Sequence, residues 1–501
     1  MNKIDLLSNI FIFTVGSISL FIMVLFVLDM IQTKDAVRRN FPVIGRFRSL
    51  FTTLGEFFRQ YFFAMDREEM PFNRAEREWV DRATHEHDNT IAFGSTKSLT
   101  PVGTAIFVNC AFPTLDDDAV EMQPLEIGPY CRIPFHAPSF FNISGMSFGA
   151  LSSPAVLALS KGAKLAGCWM NTGEGGLSPY HLLGGADIIM QIGTAKYGVR
   201  DQFGNLSDDK LKEIAAHEQV RMFEIKLSQG AKPGKGGILP AIKVTAEIAA
   251  IRSIPEGQDS ISPNRHPEIN DVGDLLDMIG RVRAVTGKPT GIKAVIGAYG
   301  WIEELCAEIC IRGPESAPDF FTVDSGDGGT GAAPMALMDN VGLTIRESLP
   351  LVSDILHKYG LRERTRIVAS GKLVTPSEVA WAIATGADFV VSARGFMFSL
   401  GCIQALKCNK NTCPTGITTH KAHLQKGLNP EEKSVKVANY CMNMIHEVQI
   451  ISHSCGVSRP RLMGRKHVRI VQSDGKSVPM DRLYPRPDII ASPRALETPP
   501  S

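Results

Sequence analysis

Residues 320–331 read FFTVDSGDGGTG: an apolar run, Phe320 to Asp324, breaks directly into the turn Ser325-Gly326-Asp327-Gly328-Gly329-Thr330-Gly331. A short apolar run bounded by glycine reads as a buried strand. Amphipathic spacing at Ile345–Tyr359 then predicts a helix. The same unit recurs along the chain. Strands are expected at Phe141–Met146, Cys168–Asn171, Met222–Leu227, Gly291–Ile296, Arg366–Ala369 and Phe389–Ser392, and helices at Ser153–Ala166, Val272–Val285, Trp301–Ile311 and Pro376–Thr385. Such alternation implies a parallel sheet with crossover helices. Seven strands can be read and an eighth cannot, so periodicity favours a (β/α)8 TIM barrel while leaving an open doubly wound sheet available. In both, the loops at the carboxyl ends of the strands are where a ligand sits.

Outward from this domain, Leu6 to Leu28 carries no charge, and residues 10–28 read IFIFTVGSISLFIMVLFVL. About 20 such residues cross the hydrocarbon as a helix, which exceeds a signal peptide's apolar region of about 7–15 residues. A transmembrane anchor is expected over 8–29. Lys34, Arg38, Arg39, Arg46 and Arg48 follow the span and only Lys3 precedes it, which puts the body on the cytoplasmic side of a cell (inner) membrane. The remaining expected divisions are a membrane-proximal region over 35–130, the barrel over 135–430, a helical extension over 431–480, and a proline-rich tail over 481–501. The 53 basic residues balance 52 acidic ones without a long basic run, which argues against nucleic acid. Ten cysteines among 501 residues suit a reducing compartment better than a disulfide framework.

Three groups of residues carry chemistry. Cys402, Cys408 and Cys413 lie within twelve residues, followed by Pro414. Thiolates this close suit a soft metal, and three fit a 3Fe-4S cluster better than four-ligand zinc or four-cysteine clusters. Buried structural cysteines are the plainer alternative, and the one preferred for Cys306, Cys310, Cys441 and Cys455. Glycine turns follow three late strands: Gly328-Gly329 in the quoted loop, Ser370-Gly371, and Arg394-Gly395. Their backbone N–H groups suit phosphate, and the absence of a Rossmann or Walker fingerprint favours FMN over a dinucleotide or ATP. Finally, Lys226 to Gly237 forms a cationic loop with Lys232 and Lys235, while Lys293 interrupts an apolar strand. The loop suits a dicarboxylate or a flavin anion and also reads as a solvated basic loop; a lysine inside a barrel is rarely left unpaired.

With Asn171-Thr172-Gly173-Glu174-Gly175-Gly176, Gln229 through Gly237, Gly328-Gly329-Thr330-Gly331 and the three cysteines in order, residues 140–425 resemble the central domain of the FMN-binding glutamate synthase family. The region before them looks like the short membrane-tethered members. The resemblance implies a (β/α)8 barrel, FMN, a 3Fe-4S cluster, and hydride delivery to 2-iminoglutarate formed from 2-oxoglutarate and ammonia. It implies Met146, Ser147 and Asn171 along the flavin, Lys293 beside its ring, and Ser370, Gly371 and Arg394 at its phosphate. Glu174 would stand near the reacting carbon, with Gln229, Lys232 and Arg252 on the keto acid. Two departures stand out. An anchor occupies the place of the family's glutaminase domain, so ammonia comes free or from a separate glutaminase subunit, and Lys235 stands where the full-length enzymes carry glutamate. The second opens two rival readings, an N-methylglutamate-forming or other acid-specific enzyme, and the anchor a third, a membrane redox subunit. Without a nucleotide fingerprint, ferredoxin or a separate reductase is the expected electron donor.

Overall fold

The computed structural model describes residues 3–32, 36–58, 66–85, 90–120 and 122–491. Lys34, Phe63, His87 and the tail prolines Pro493, Pro499 and Pro500 lie outside these, as does the side chain of Arg48. The chain divides into two units, Met1–Arg77 and Glu78–Ser501. In the first, Lys3–Ile31 is a single helix of 29 residues whose apolar side chains are exposed along its length. It is long and apolar enough to cross a membrane. Ala36–Asn40 and Gly45–Phe58 are the shorter helices that follow it.

The second unit is built on a closed barrel of eight strands, all parallel. These are β1 (Phe141–Ile143), β2 (Met170–Asn171), β3 (Ile188–Ile192), β4 (Val220–Lys226), β5 (Thr290–Val295), β6 (Phe320–Asp324), β7 (Arg366–Ser370) and β8 (Phe389–Ser392). Val391 pairs with Asn142 to close the ring, which decides for a barrel over an open sheet. The strand missing from the sequence reading is β3. A single 3-10 turn, Gly173–Gly175, and a five-residue helix, Pro179–Leu183, separate it from β2, both too short to show helical periodicity.

Local chemistry sets the crossover helices. Ser153–Ala166 stops at Gly167, whose φ of 68° is left-handed and cheap only for glycine. Val272–Thr286 starts where the Asp271 carboxylate accepts the Asp274 N–H. The long helix Pro430–Ser454 lies against Ser153–Ala166 so closely that a Cβ on Gly162 would fall 2.4 Å from Val437 Cγ1. Residues beyond it return as two strands, Val468–Val471 and Ser477–Pro479, which form a sheet with Ala105–Phe107.

Inside the barrel the amino-terminal half is apolar. Trp169, Ile189, Met222, Phe320, Val368, Phe389 and Val391 pack together, closed from below by Ile127, Phe135 and Ala137 of the hairpin Leu125–Ile127/Phe135–Ala137. Below β6, fully buried Asp319 takes the guanidinium of Arg283 at 3.0 Å and that of Arg364 at 2.9 Å, and accepts the Thr290 N–H at 2.8 Å. Polar strand residues are thereby left to the opposite, carboxyl end.

Two histidines, His181 and His266, are buried on folding. Burial pushes both His181 and His266 down to about 4. Unfolded histidine titrates near 6.5, so between pH 6.5 and about 4 the unfolded chain binds more protons, and stability falls as pH falls. Each site contributes a loss on the order of 3 kcal/mol by pH 4. Urea midpoints of the detergent-solubilised chain should therefore drop steadily between pH 6.5 and 4, and a flat profile would show that these histidines are not held neutral.

Candidate active site

The carboxyl ends of the strands carry charge in alternating register. On β4, Met222, Glu224 and Lys226 share one parity, so the apolar interior set by Met222 is followed upward by an acid and a base. Glu224 is 2% exposed. Its Oε1 accepts from Asn171 Nδ2 at 2.8 Å and Gln191 Nε2 at 2.7 Å, and its Oε2 from Thr322 Oγ1 at 2.6 Å. On the neighbouring strands β5 and β6, the Lys293 ammonium meets Asp324 Oδ2 at 3.3 Å, and that oxygen also accepts the Gly230 N–H at 3.0 Å. Burial opposes the Lys293 charge, but Asp324 and Glu224 outweigh it and hold the ammonium above its ordinary range. A small cavity between these groups is lined by Ser144, Asn171, Glu224, Lys293 and Thr322 above the apolar interior.

A second cluster lies on the loops after β2 and β4. Glu174 Oε2 is 2.7 Å from Lys226 Nζ, which donates to Gln229 Oε1 at 2.7 Å, while Gln229 Nε2 donates to Thr330 Oγ1 at 2.9 Å. The cationic loop needs its last glycine here, because a Cβ on Gly237 would fall 2.1 Å from Glu174 Oε1. Burial works against ionisation of Glu174, yet Lys226, Lys232 and Arg252 prevail and keep the carboxyl below its usual range. Lys232, 3% exposed, makes no hydrogen bond or ion pair through its ammonium among the described residues. Burial pushes it down to about 8 against the pull of Glu174. Arg252, 4% exposed, donates to Ser260 Oγ and the Phe148 carbonyl, lies 5.2 Å over the Tyr197 ring, and leaves Nε without an acceptor. Lys226, Lys232 and Arg252 against Glu174 leave two positive charges in excess. Buried, incompletely paired cations of this kind suit a dianionic guest.

The loops after β6, β7 and β8 meet at a third place. Ser325 N donates to the Ser370 carbonyl at 2.9 Å, and a Cβ on Gly371, at φ 129°, would fall 2.2 Å from Ser325 Cβ. Lys372 pairs with Asp327 at 3.0 Å, and Arg394 Nη2 donates to the Asp327 carbonyl at 3.2 Å beside Gly329 and buried Gly328. This donor set fits a phosphate, and with Asn171 and Lys293 at the barrel mouth it fits a cofactor carrying both a phosphate and a polar ring edge. Met146, buried, and Ser147, half-buried, adjoin it on the β1 loop, where Met146 N donates to the Asn171 carbonyl at 3.3 Å.

The cysteine loop is assembled in part. Cys408 and Cys413 are electrostatic neighbours beside Thr418, and the buried Lys243 ammonium donates to the Ala150 carbonyl at 2.6 Å and to the Cys408 carbonyl at 3.4 Å. Cys402 Sγ accepts the Gln404 N–H at 3.5 Å. Among the described residues no three His, Cys, Asp or Glu side chains stand together as a metal site. The thiols and the adjacent cation fit an anionic iron-sulfur group in chemistry, and two of the three are neighbours.

Sequence reading missed Glu224, Gln191 and Thr322, and it quoted Lys226 and Asp324 in their loops without giving either a role of its own. For Glu224 the signal was present: one acid at the same parity as Met222 and Lys226 in the apolar run VRMFEIK.

The family model described as "Conserved region in glutamate synthase" matches residues 114–458. "Glutamate synthase large subunit-like protein YerD" of Bacillus subtilis is 39% identical over 498 residues, 92% of this chain and 94% of that protein. "Archaeal glutamate synthase [NADPH]" of Methanocaldococcus jannaschii is 38% identical over 319 residues, 63% of this chain and 59% of that protein. Among solved structures, an oxidised active mutant of (S)-mandelate dehydrogenase aligns over 73% of this chain and 87% of that one, at 12% identity and a TM-score of 0.47.

Removing the Glu224 carboxylate would leave Asn171, Gln191 and Thr322 without their acceptor and Lys293 with one counter-charge fewer. Glu224→Leu should destabilise the fold by about 3–5 kcal/mol, read as a lowered urea midpoint, and Glu224→Gln by less. Equal midpoints for Glu224→Leu and the parent would show that the network carries no stability.

Proposed function

Because the chain belongs to the glutamate synthase family, we propose that it is a flavin- and iron-sulfur-dependent oxidoreductase that reduces 2-iminoglutarate, formed from 2-oxoglutarate and ammonia, to glutamate. The observation that carries this reading is the buried double-positive excess of Lys226, Lys232 and Arg252 over Glu174. A 2-oxo diacid brings two carboxylates, and a guanidinium can hold one of them through two parallel hydrogen bonds. Gln229, positioned by Lys226 and Thr330, supports the same ligand.

FMN, when bound, would supply the hydride. Met146, Ser147, Asn171 and Lys293 would line its ring, and Gly328, Gly329, Ser370, Gly371 and Arg394 would hold its phosphate. Lys293, kept protonated by Asp324 and Glu224, would offer a fixed positive charge at the ring edge. Glu174, held as a carboxylate, would orient Lys226 and sustain the charge on Lys232. Reduction of the imine also consumes a proton, and Lys232, poised near neutrality, is the group suited to deliver it. Cys402, Cys408 and Cys413 would hold a 3Fe-4S cluster. The apolar helix Lys3–Ile31 would tether the catalytic body to the cytoplasmic face of the membrane. The electron donor would be ferredoxin or a separate reductase, and ammonia would come free or from a glutaminase partner. Lys235 favours testing the amine and the acid separately, because it adds a cation to the substrate loop.

Anaerobic photoreduction of the detergent-solubilised chain, followed by 2-oxoglutarate with ammonia, glutamine or methylamine, tests the reaction. Return of the oxidised flavin band with accumulation of an amino acid supports a synthase, and the productive amine names the product. Iron and acid-labile sulfide counted on the same sample, and lost in Cys402→Ala, support the cluster. A chain that contains flavin yet is reoxidised by no combination overturns glutamate formation, and rapid reduction by NADPH alone overturns the ferredoxin or separate-reductase assignment.

Lys232 also sets a pH dependence. As pH rises through about 8 the free enzyme's ammonium is lost, and with it both anion binding and proton supply. The kcat/KM should fall on the alkaline side with an apparent pKa near 8, and Lys232→Met should lower it at pH 7 while abolishing that limb. An unchanged limb in Lys232→Met would assign the titration elsewhere.

A further inference from the structure

Gly45–Phe58 carries an apolar stripe that is exposed among the described residues. Phe47, Leu50, Phe51 and Leu54 recur at helical spacing, with exposures of 48%, 49%, 65% and 36%. In a soluble helix this face would be the buried one. The start of the helix is fixed to the end of the apolar span. Asp29, 1% exposed, receives Arg46 Nε at 2.8 Å and Nη2 at 2.7 Å on its two oxygens, and the Val43 N–H at 2.9 Å. Val43 takes a φ of 65°, costly for a β-branched residue, at the corner these bonds hold. A helix beginning beside the last turn of a membrane span begins at the depth of the lipid headgroups. From Asp29 to Phe58 five basic residues stand against three acidic ones, an excess that suits an anionic surface.

We propose that Gly45–Phe58 is an interfacial helix, lying along the leaflet on the side of the catalytic body with its phenylalanine and leucine face in the acyl boundary and anionic phospholipid as its occupant. The inference rests on the reading of Lys3–Ile31 as a membrane span and adds a second, peripheral contact to it. Such a contact restrains the direction in which the chain leaves the membrane, which a single helix does not.

The test uses the full chain in vesicles of phosphatidylcholine and phosphatidylglycerol. Phe51→Trp adds one reporter to four native tryptophans, and its emission is taken as the difference from the parent. The expected result is blue-shifted emission, quenched more by lipids brominated near the carbonyl end of the acyl chain than near the methyl end. Adding Leu50→Asp and Leu54→Asp to Phe51→Trp should remove the quenching while the chain still resists alkaline carbonate extraction. An unquenched reporter in a carbonate-resistant chain overturns the interfacial helix and leaves the span standing. Blue-shifted but unquenched emission overturns it in favour of a second protein copy on that face. Release of the chain by carbonate overturns both, because the helix then has no fixed depth.

Discussion

A charged layer inside a closed barrel exists only if its charges satisfy one another, and here that constraint centres on Glu224. Its carboxylate accepts from side chains on β2, β3 and β6 and faces the Lys293 ammonium from β5. Several kcal/mol of desolvation per ion are offset only when the remaining lone pairs are filled, which is why amide and hydroxyl groups, and not solvent, surround it. The network ties five of the eight strands, β2 to β6, at one height. The loops that begin immediately above it therefore start from fixed positions.

That height divides the barrel. Below it, Trp169, Phe320 and Phe389 fill the interior and the hairpin residues Ile127 and Phe135 close it, so no ligand can enter from that end. Above it, the loops diverge: the β4–β5 connection carries a short hairpin, Ile238–Leu239 with Ser260–Ile261, and the helix Ala246–Arg252. This insertion brings Lys232, Lys243 and Arg252 over the mouth. Lys232 and Arg252 reach the Glu174 cluster, whereas Lys243 reaches the cysteine loop through the Cys408 carbonyl. One insertion thus connects the two candidate chemical centres.

Much of this was legible from local patterns. The apolar runs ending in glycine gave seven strands, and the glycine turns after β6, β7 and β8 proved to meet at one place. The eighth strand escaped because the five-residue helix before it has no period to read. Spacing brought three cysteines to notice, but it cannot supply the loop geometry, and among the described residues no three ligand side chains stand together as a metal site. Likewise, Lys293 was conspicuous as a cation in an apolar strand, while its partner Asp324 looked like the polar end of another strand. Pairing between neighbouring strands depends on register, which no single strand contains.

Charge and protonation at the mouth are one equilibrium. Lys232 is held down to about 8 because its surroundings withhold water without supplying a paired anion. An anion bound beside it raises the same ammonium, so by reciprocity the anion binds more tightly when the lysine is protonated. Above pH 8 each binding event must then take up a proton, and release of the anion must give one back. The proposed reductive amination would consume a proton at the moment its substrate is held most closely. In this arrangement the ligand that needs the proton is also the ligand that fixes it in place, and Glu174, ionised throughout, keeps the exchange on Lys232 by remaining outside it.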